Sequence, residues 1–304
     1  MDSLTQAALG ASIGAACAPE GQRRSALLAG ALLGTLPDLD VVIDYGDPVW
    51  NFTRHRGFSH SLIVLLPASF AIWLALRRWW RPANEAPRQW LLAVILILIT
   101  HPLLDAHTAY GTQLLWPLAV PPVMWSTLFI IDPLYTLPLA VGVVAAGIRP
   151  RAAVATKLLR IGLVLSTAYL GWSWAAKASV DDTARDVVAS LGMPDARVFS
   201  TPTPFNTLLW IIVILTEAGY VEAFDSLLVD ERAQRFRRFD GGRDLLDSAS
   251  NIPAVARLRW FSRDFLKTEI RDGELIVSDL RMGQEPYYVF SFSVAERAGS
   301  AWRT

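Results

Sequence analysis

The chain has 304 residues, 53% of them apolar and only 18% charged, with a mean hydropathy of +0.33. A soluble domain carries about a quarter charged residues, and 28 basic against 28 acidic side chains exclude the basic stripe of a nucleic-acid binder. The single cysteine, Cys17, excludes a disulfide framework and a thiolate-rich zinc site.

These averages conceal two halves. Residues 1–176 hold long apolar runs broken by short charged loops, whereas 177–304 have the Asp, Glu and Arg content of an ordinary soluble domain. The expected fold is an α-helical polytopic membrane bundle of about six spans or membrane-embedded helices, followed by a small soluble α+β domain.

The apolar runs lie at 4–19, 25–43, 61–76, 90–106, 124–148 and 160–176. A crossing helix needs about 20 apolar residues; the second and fifth runs reach this and the others fall short of it or are marginal. The first, "LTQAALGASIGAACAP", is rich in small residues that let helix backbones approach in lipid. Its opening, "MDSLTQ", is acidic where a secretory signal has a positive n-region, and Gly14, Ala15 and Ala16 lack the aliphatic residue of a lipobox. The run is therefore read as part of the bundle.

If six runs alternate sides, the loops sort by charge. One side receives Arg23, Arg24, Arg77, Arg78, Arg81, Arg88, Arg149, Arg151, Lys157 and Arg160; the other receives Arg54 and Arg56. The positive-inside rule makes the first side cytoplasmic. The N-terminus, the histidine-bearing loops and the C-terminal domain are then expected on the periplasmic or extracellular side.

Polar residues gather on that outer face. Asp2 precedes the first run, "TLPDLD" sets Asp38 and Asp40 at the outer end of the second, and "HRGFSHS" sets His55, Arg56 and His60 at the outer start of the third. "THPLLDAHTAYGT" sets His101 and Asp105 at the end of the fourth, and "FIIDPLYTLP" sets Asp132 in the fifth. Ionisable groups in a membrane are costly and face a cavity or one another. His101 and Asp105, four apart, share one helical face. His55 and His60, five apart, converge only if His55 comes from a loop and His60 from the first helical turn, with Gly57 at the bend. Imidazole with carboxylate suits zinc, manganese or iron. His107 falls on another face and is read as a non-ligand.

Five stretches in this order, "MDSLTQ", "GTLPDLDVVID", "HRGFSHSL", "HPLLDAHTAYGTQLLWPL" and "FIIDPLYTLPL", resemble the YdjM-type membrane-bound metal-dependent hydrolases, also described as LexA-regulated and inner-membrane-associated. The resemblance covers roughly residues 1–150. It implies a multi-pass protein of the bacterial inner membrane, a metal-dependent hydrolase activity, and Asp38, Asp40, His55, His60, His101 and Asp105 as the metal-site residues. One position departs from the family pattern: its opening continues Thr-His, and here position 6 is Gln6. That leaves either a lost ligand or a weak amide-oxygen one, and one or two ions.

In the second half, "SVDDTARDVVASLG" reads as a helix with acidic residues in its first turn. "LLWIIVIL" is too short to span and reads as strand, "AVARLRWFSRDFLKTEIRDG" reads as helix, and "ELIVSDLRMG" with "YYVFSFSVAE" as paired strands. With no histidine, this half is expected to act as a lid, docking or substrate-selecting module.

The expected function is a hydrolase in which a divalent transition metal, zinc or manganese, activates water. The six residues above are ligands, with Asp38 and Asp40 as ligands or bridging groups. Asp132 or Asp2 orients the water or acts as base, and Arg56 stabilises an anionic transition state. Its partners are the lipid bilayer and a phosphoester or other lipid-linked or amphiphilic substrate. The alternatives are a metal-ion transporter or channel, and a membrane anchor presenting the C-terminal domain to a partner.

Overall fold

In the computed structural model, which describes residues 1–229, 236–298 and 301–303, helices fill the first half and strands much of the second. Helices α1 (Ser3–Cys17) and α2 (Arg23–Thr35) meet along glycines. A Cβ on Gly30 would stand 2.3 Å from the Gly10 carbonyl oxygen, so the two backbones approach as only glycine permits. There follow α3 (Pro48–Arg54), α4 (Leu62–Trp79), α5 (Arg81–Glu85), α6 (Pro87–Asp105), α7 (Pro133–Ile148) and the 38-residue α8 (Ala153–Ser190).

Three helices, α4, α6 and α8, are long and apolar enough to cross a membrane, which corrects the expectation of six spans. The reason is length. At about 1.5 Å per residue, the 15 residues of α1 and 13 of α2 extend roughly 22 and 20 Å, short of a ~30 Å hydrocarbon core. The run at 25–43 is cut after Thr35, where Pro37–Val42 winds into a 3₁₀ turn. The run at 124–148 is helical only over the 16 residues of α7. Residues 8–15 of α1 are all buried within the bundle. By contrast, α4 leaves Ile63, Leu66, Phe70 and Leu74 exposed, the surface a bilayer-facing helix needs.

The sixth apolar run and the acidic segment after it form one helix, α8, so the expected boundary between residues 176 and 177 falls inside it. Its C-terminal turns pack Ala176, Val180 and Ala184 on Trp210, Ile212 and Ile214. These belong to an antiparallel sheet, in the order β1 (Val198–Pro202), β2 (Leu209–Leu215), β3 (Gly219–Ser226), β4 (Arg237–Asp240). The uniformly apolar β2 follows from burial on both faces: Trp210, Ile212 and Ile214 meet α8, while Ile211, Val213 and Leu215 meet Phe199, Phe265 and Leu280.

Helices α9 (Arg243–Ser248) and α10 (Pro253–Ser262) lead into β5 (Leu266–Arg271) and β6 (Glu274–Asp279). A short hairpin, β7 (Gly283–Gln284) with β8 (Tyr287–Tyr288), precedes β9 (Ser291–Ala298) and β10 (Ala301–Arg303). The second four-stranded sheet has the order β10-β9-β6-β5. The helix expected over "AVARLRWFSRDFLKTEIRDG" stops at Ser262, because Arg263 and Asp264 adopt φ of +52° and +62° and turn the chain into β5.

The two halves are not strung loosely together. Val49 and Phe52 of α3, with Tyr110, share a core with Leu246, Val255 and Phe261. Arg257 of α10 donates to the Thr53 hydroxyl at 2.9 Å and to its carbonyl at 3.0 Å. The histidine-bearing stretch after α3 is thus held from both sides.

Candidate metal centre

Four side chains from three places in the sequence converge: Asp38 from the turn after α2, His60 from the Phe58–His60 turn before α4, and His101 with Asp105 from the last turns of α6. His60 Nε2 lies 3.1 Å from His101 Nε2, 3.3 Å from Asp38 Oδ1 and 3.0 Å from Asp105 Oδ2. His101 Nε2 lies 3.4 Å from Asp38 Oδ1 and 3.5 Å from Asp105 Oδ2. Both imidazoles and Asp105 are sealed from solvent, and Asp38 is partly so.

The hydrogen bonds assign the ring protons. His101 Nδ1 is 2.6 Å from the Gly34 carbonyl, which can only accept, so Nδ1 carries a proton and, in the neutral ring, Nε2 presents a lone pair. The Ser59 hydroxyl donates to Asp40 Oδ2 at 2.5 Å, leaving its lone pair to accept from His60 Nδ1 at 2.9 Å. In the neutral ring, His60 Nε2 also presents a lone pair. Two such nitrogens 3.1 Å apart, flanked by two carboxylate oxygens, make a cluster of electron-pair donors that a cation would balance. Ligands about 2.0–2.1 Å from a zinc ion stand roughly 3.3 Å apart at the corners of a tetrahedron; the separations that include an imidazole nitrogen are 3.0–3.5 Å, and all four ligand atoms lie within 4.8 Å of one another. Asp105 Oδ2 is buried without a hydrogen-bond partner, as an oxygen reserved for an ion would be. This buried Asp/His group could hold one metal ion.

The predicted residues divide. Asp38, His60, His101 and Asp105 come together; His55 and Asp40 form an adjoining pair, with His55 Nδ1 2.7 Å from Asp40 Oδ1. A 3₁₀ turn has about three residues per turn, so positions two apart diverge by roughly 120°; Asp38 and Asp40 therefore serve different neighbours. Asp40 also accepts from the Arg56 amide at 3.0 Å. Burial works to raise the Asp40 carboxyl, but the bonds from His55 and Ser59 outweigh it and hold it below the usual carboxylate range.

Arg56 is buried, adopts a left-handed φ of +59°, and sets its Nε 3.4 Å from Asp105 Oδ2. Its Nη1 donates to Thr108 Oγ1 at 3.0 Å. Asp2 and Asp132 are engaged as helix caps. Asp2 accepts from the Thr5 amide and hydroxyl; Asp132 accepts from Leu134, Tyr135 and the Tyr169 hydroxyl. His107 lies outside this cluster, bonded to the Leu103 carbonyl and accepting from Trp174.

Sequence reasoning passed over Ser59 and the Gly34 carbonyl, which orient the two imidazoles. Ser59 stands inside the quoted "HRGFSHS", so it was within reach; a backbone carbonyl leaves no sequence signal. Gln6 turns its amide nitrogen to Asp105 Oδ1 at 3.0 Å and the His101 carbonyl at 3.1 Å, both acceptors. The amide-oxygen ligand considered from sequence is thus replaced by a donor that steadies Asp105, alongside the Met1 amino group on the same oxygen.

The profile of the YdjM inner membrane protein family matches residues 1–180, the segment that holds every one of these groups. The chain belongs to that family. It is also similar to the inner membrane protein YbcI of Escherichia coli strain K12, with 37% identity over 94 residues, 30% of this chain and 53% of YbcI. The chain thus spans about half the length of that curated relative. No solved structure matches. Family and relative together make this an inner membrane protein, and the family match ends before the first strand.

Proposed function

We propose that this YdjM-family protein is a metal-dependent hydrolase of phosphoesters, with its site at the periplasmic end of the bundle. The observation that carries the reading is the pair of His60 and His101 Nε2 atoms 3.1 Å apart between two carboxylates. Two imidazoles and two carboxylates without thiolate, within 4.8 Å of one another, favour zinc over manganese. A metal held there supplies Lewis-acid polarisation and acidifies water. The protein's own groups do the rest. Ser59 and Gly34 fix the ring orientations, and Gln6 steadies Asp105. Arg56 sets a cation beside the cluster where an anionic ester would lie. His55, with Nδ1 tied to Asp40 and its side chain 22% exposed, keeps Nε2 free to accept a proton, the arrangement of a general base. That role replaces the base proposed from sequence, since Asp2 and Asp132 are occupied as caps.

Transport is less supported. Beneath His101, α6 buries Ala93, Val94, Ile97 and Leu98, which offer no polar ladder for an ion. The orientation is supported by Arg77 and Arg78 at the far end of α4.

The first test is elemental analysis of purified protein beside His60→Ala and His101→Ala, followed by hydrolysis of a phosphoester panel. Near-stoichiometric metal in wild type, lost in both variants, is expected; a metal-free wild type after zinc and manganese reconstitution overturns the reading. For orientation, Asp240→Cys in a Cys17→Ser background should react with an impermeant maleimide in intact spheroplasts. Reaction only after lysis would invert the topology.

A further inference from the structure

A cavity of about 480 Å³ lies between the helical half and the sheets. It falls within the usual size of a small-molecule site, about 300–1,000 Å³. One wall comes from the metal-centre side, with His55, Arg56 and Thr108 beside Leu128, Phe129 and Ile130. The opposite wall comes from the sheets, including Pro202, Ile211, Met282, Val289 and Phe290. The lining is mainly apolar. Its charged members are the two arginines, Arg56 and Arg281, and among the described residues no carboxylate lines it. Arg281 is spent on Asp279, which takes its Nε at 2.8 Å and its Nη2 at 2.5 Å. Arg56 is different: its buried Nε has no hydrogen-bond partner. The same side chain lines the cavity and stands 3.4 Å from Asp105 Oδ2, so it joins the cavity to the metal centre. At the rim, Tyr287 and Val289 are 81% and 73% exposed, apolar surface unusual for a mouth opening on water.

We infer that this cavity takes the hydrocarbon chain of a single-chain phosphate amphiphile drawn from the bilayer, with its phosphate head at Arg56 facing the metal centre. The inference rests on the hydrolase reading for what happens to the head, but the binding of the chain stands on the cavity alone. Charge selects the head: the buried Arg56 guanidinium, whose Nη1 donates to Thr108 while its Nε makes no hydrogen bond, and the lack of a carboxylate among the described lining residues favour an anion. The walls select the tail. The sheet half, which lies almost wholly beyond the family match, thereby acquires a role as the second wall of the substrate site.

The test is photolabelling of the full chain in phosphatidylcholine nanodiscs with decyl phosphate carrying a diazirine near the chain end. Labelled peptides are expected within 201–211 and 282–290. Unlabelled decyl phosphate should compete, whereas decanol or inorganic phosphate at the same concentration should not. Octyl phosphate should compete about fifteenfold less well than decyl phosphate, at roughly fourfold for each methylene. Ile211→Trp, which fills the cavity, should abolish cavity labelling. Should that variant fail to fold, Val289→Glu at the exposed rim serves instead, repelling the anionic head and cutting labelling severalfold. Label confined to bilayer-facing peptides of α4 and α7 overturns the inference, as does competition by decanol equal to that by decyl phosphate. Asp38→Asn separates the two readings: it should remove metal and leave cavity labelling in place. A wild type that labels in the cavity yet binds no metal would sink the hydrolase and spare the cavity.

Discussion

Ser59 shows how much of a candidate metal centre is decided by atoms outside the ligand set. Its hydroxyl gives its proton to Asp40 and accepts from His60, so one small side chain sets both a tautomer and a ring orientation. Groups in such positions commonly govern metal affinity by about 10–100-fold. Ser59→Ala is expected to weaken zinc binding by that range with little change in thermal stability, read by competition with a chromophoric chelator. Gln6→Ala should do the same through Asp105. His55 separates two chemistries. If it is the base, His55→Gln keeps full metal content while turnover falls about 10²–10⁴-fold; loss of metal in that variant would make it a ligand after all. Much of this was legible from spacing. The i, i+4 pair His101 and Asp105 lies on one face as helical geometry requires. What spacing could not reveal is which of Asp38 and Asp40 faces the imidazoles, because that depends on the chain entering a 3₁₀ turn at Pro37.

At the scale of elements, α1 and α2 are too short to cross a membrane and serve instead to carry Gln6 and Gly34 to the centre. Their approach at Gly10 and Gly30 therefore helps set where Gln6 and Gly34 meet the cluster. Gly30→Ala would place a methyl 2.3 Å from the Gly10 carbonyl oxygen. A cost of about 1–3 kcal/mol is expected from the forced separation, seen as a lower Tm, together with reduced metal content as Gly34 is pulled from His101. The turn between α10 and β5 makes a second prediction. Asp264 accepts from Arg259 at 2.7 Å and from Arg197 at 3.1 Å. Burial acts to raise its carboxyl, but those two arginines prevail and hold it below the ordinary 3.8. A depressed carboxylate contributes stability above its unfolded value and loses it as pH falls through the folded one. Asp264→Asn should thus cost about 1 kcal/mol at pH 7, and the gap in Tm from wild type should close as pH drops below 3.8. A gap that stays constant with pH would assign the effect to backbone geometry instead.

Across the whole molecule, the two halves behave as one body at the site. Phe52 of α3 stacks against Tyr110, Phe261, Phe290 and Phe292 at centroid distances of 4.4–5.2 Å. It lies three residues before His55, so its packing anchors the histidine stretch to the sheet half. Phe52→Ala is expected to cost about 3–5 kcal/mol and to lower metal content and sheet stability together. Tryptophan fluorescence and metal release followed through one thermal scan check this; two separate transitions in wild type would show that the halves fold independently.

The order of motifs, the asymmetry between a charge-poor and a charge-rich half, and the histidine and aspartate types at one end were all determined by sequence alone, because ionisable groups beside apolar runs must converge or face water. Helix length across the bilayer was not. An apolar run records composition, whereas the ends of α2 and α7 are decided by where the chain bends and packs. The division of six candidate ligands into a cluster of four and a supporting pair, and the cavity shared between α3's neighbours and the sheets, came from tertiary structure only. Both depend on contacts between residues as far apart as Arg56 and Val289, and no local pattern in the sequence encodes such a distance.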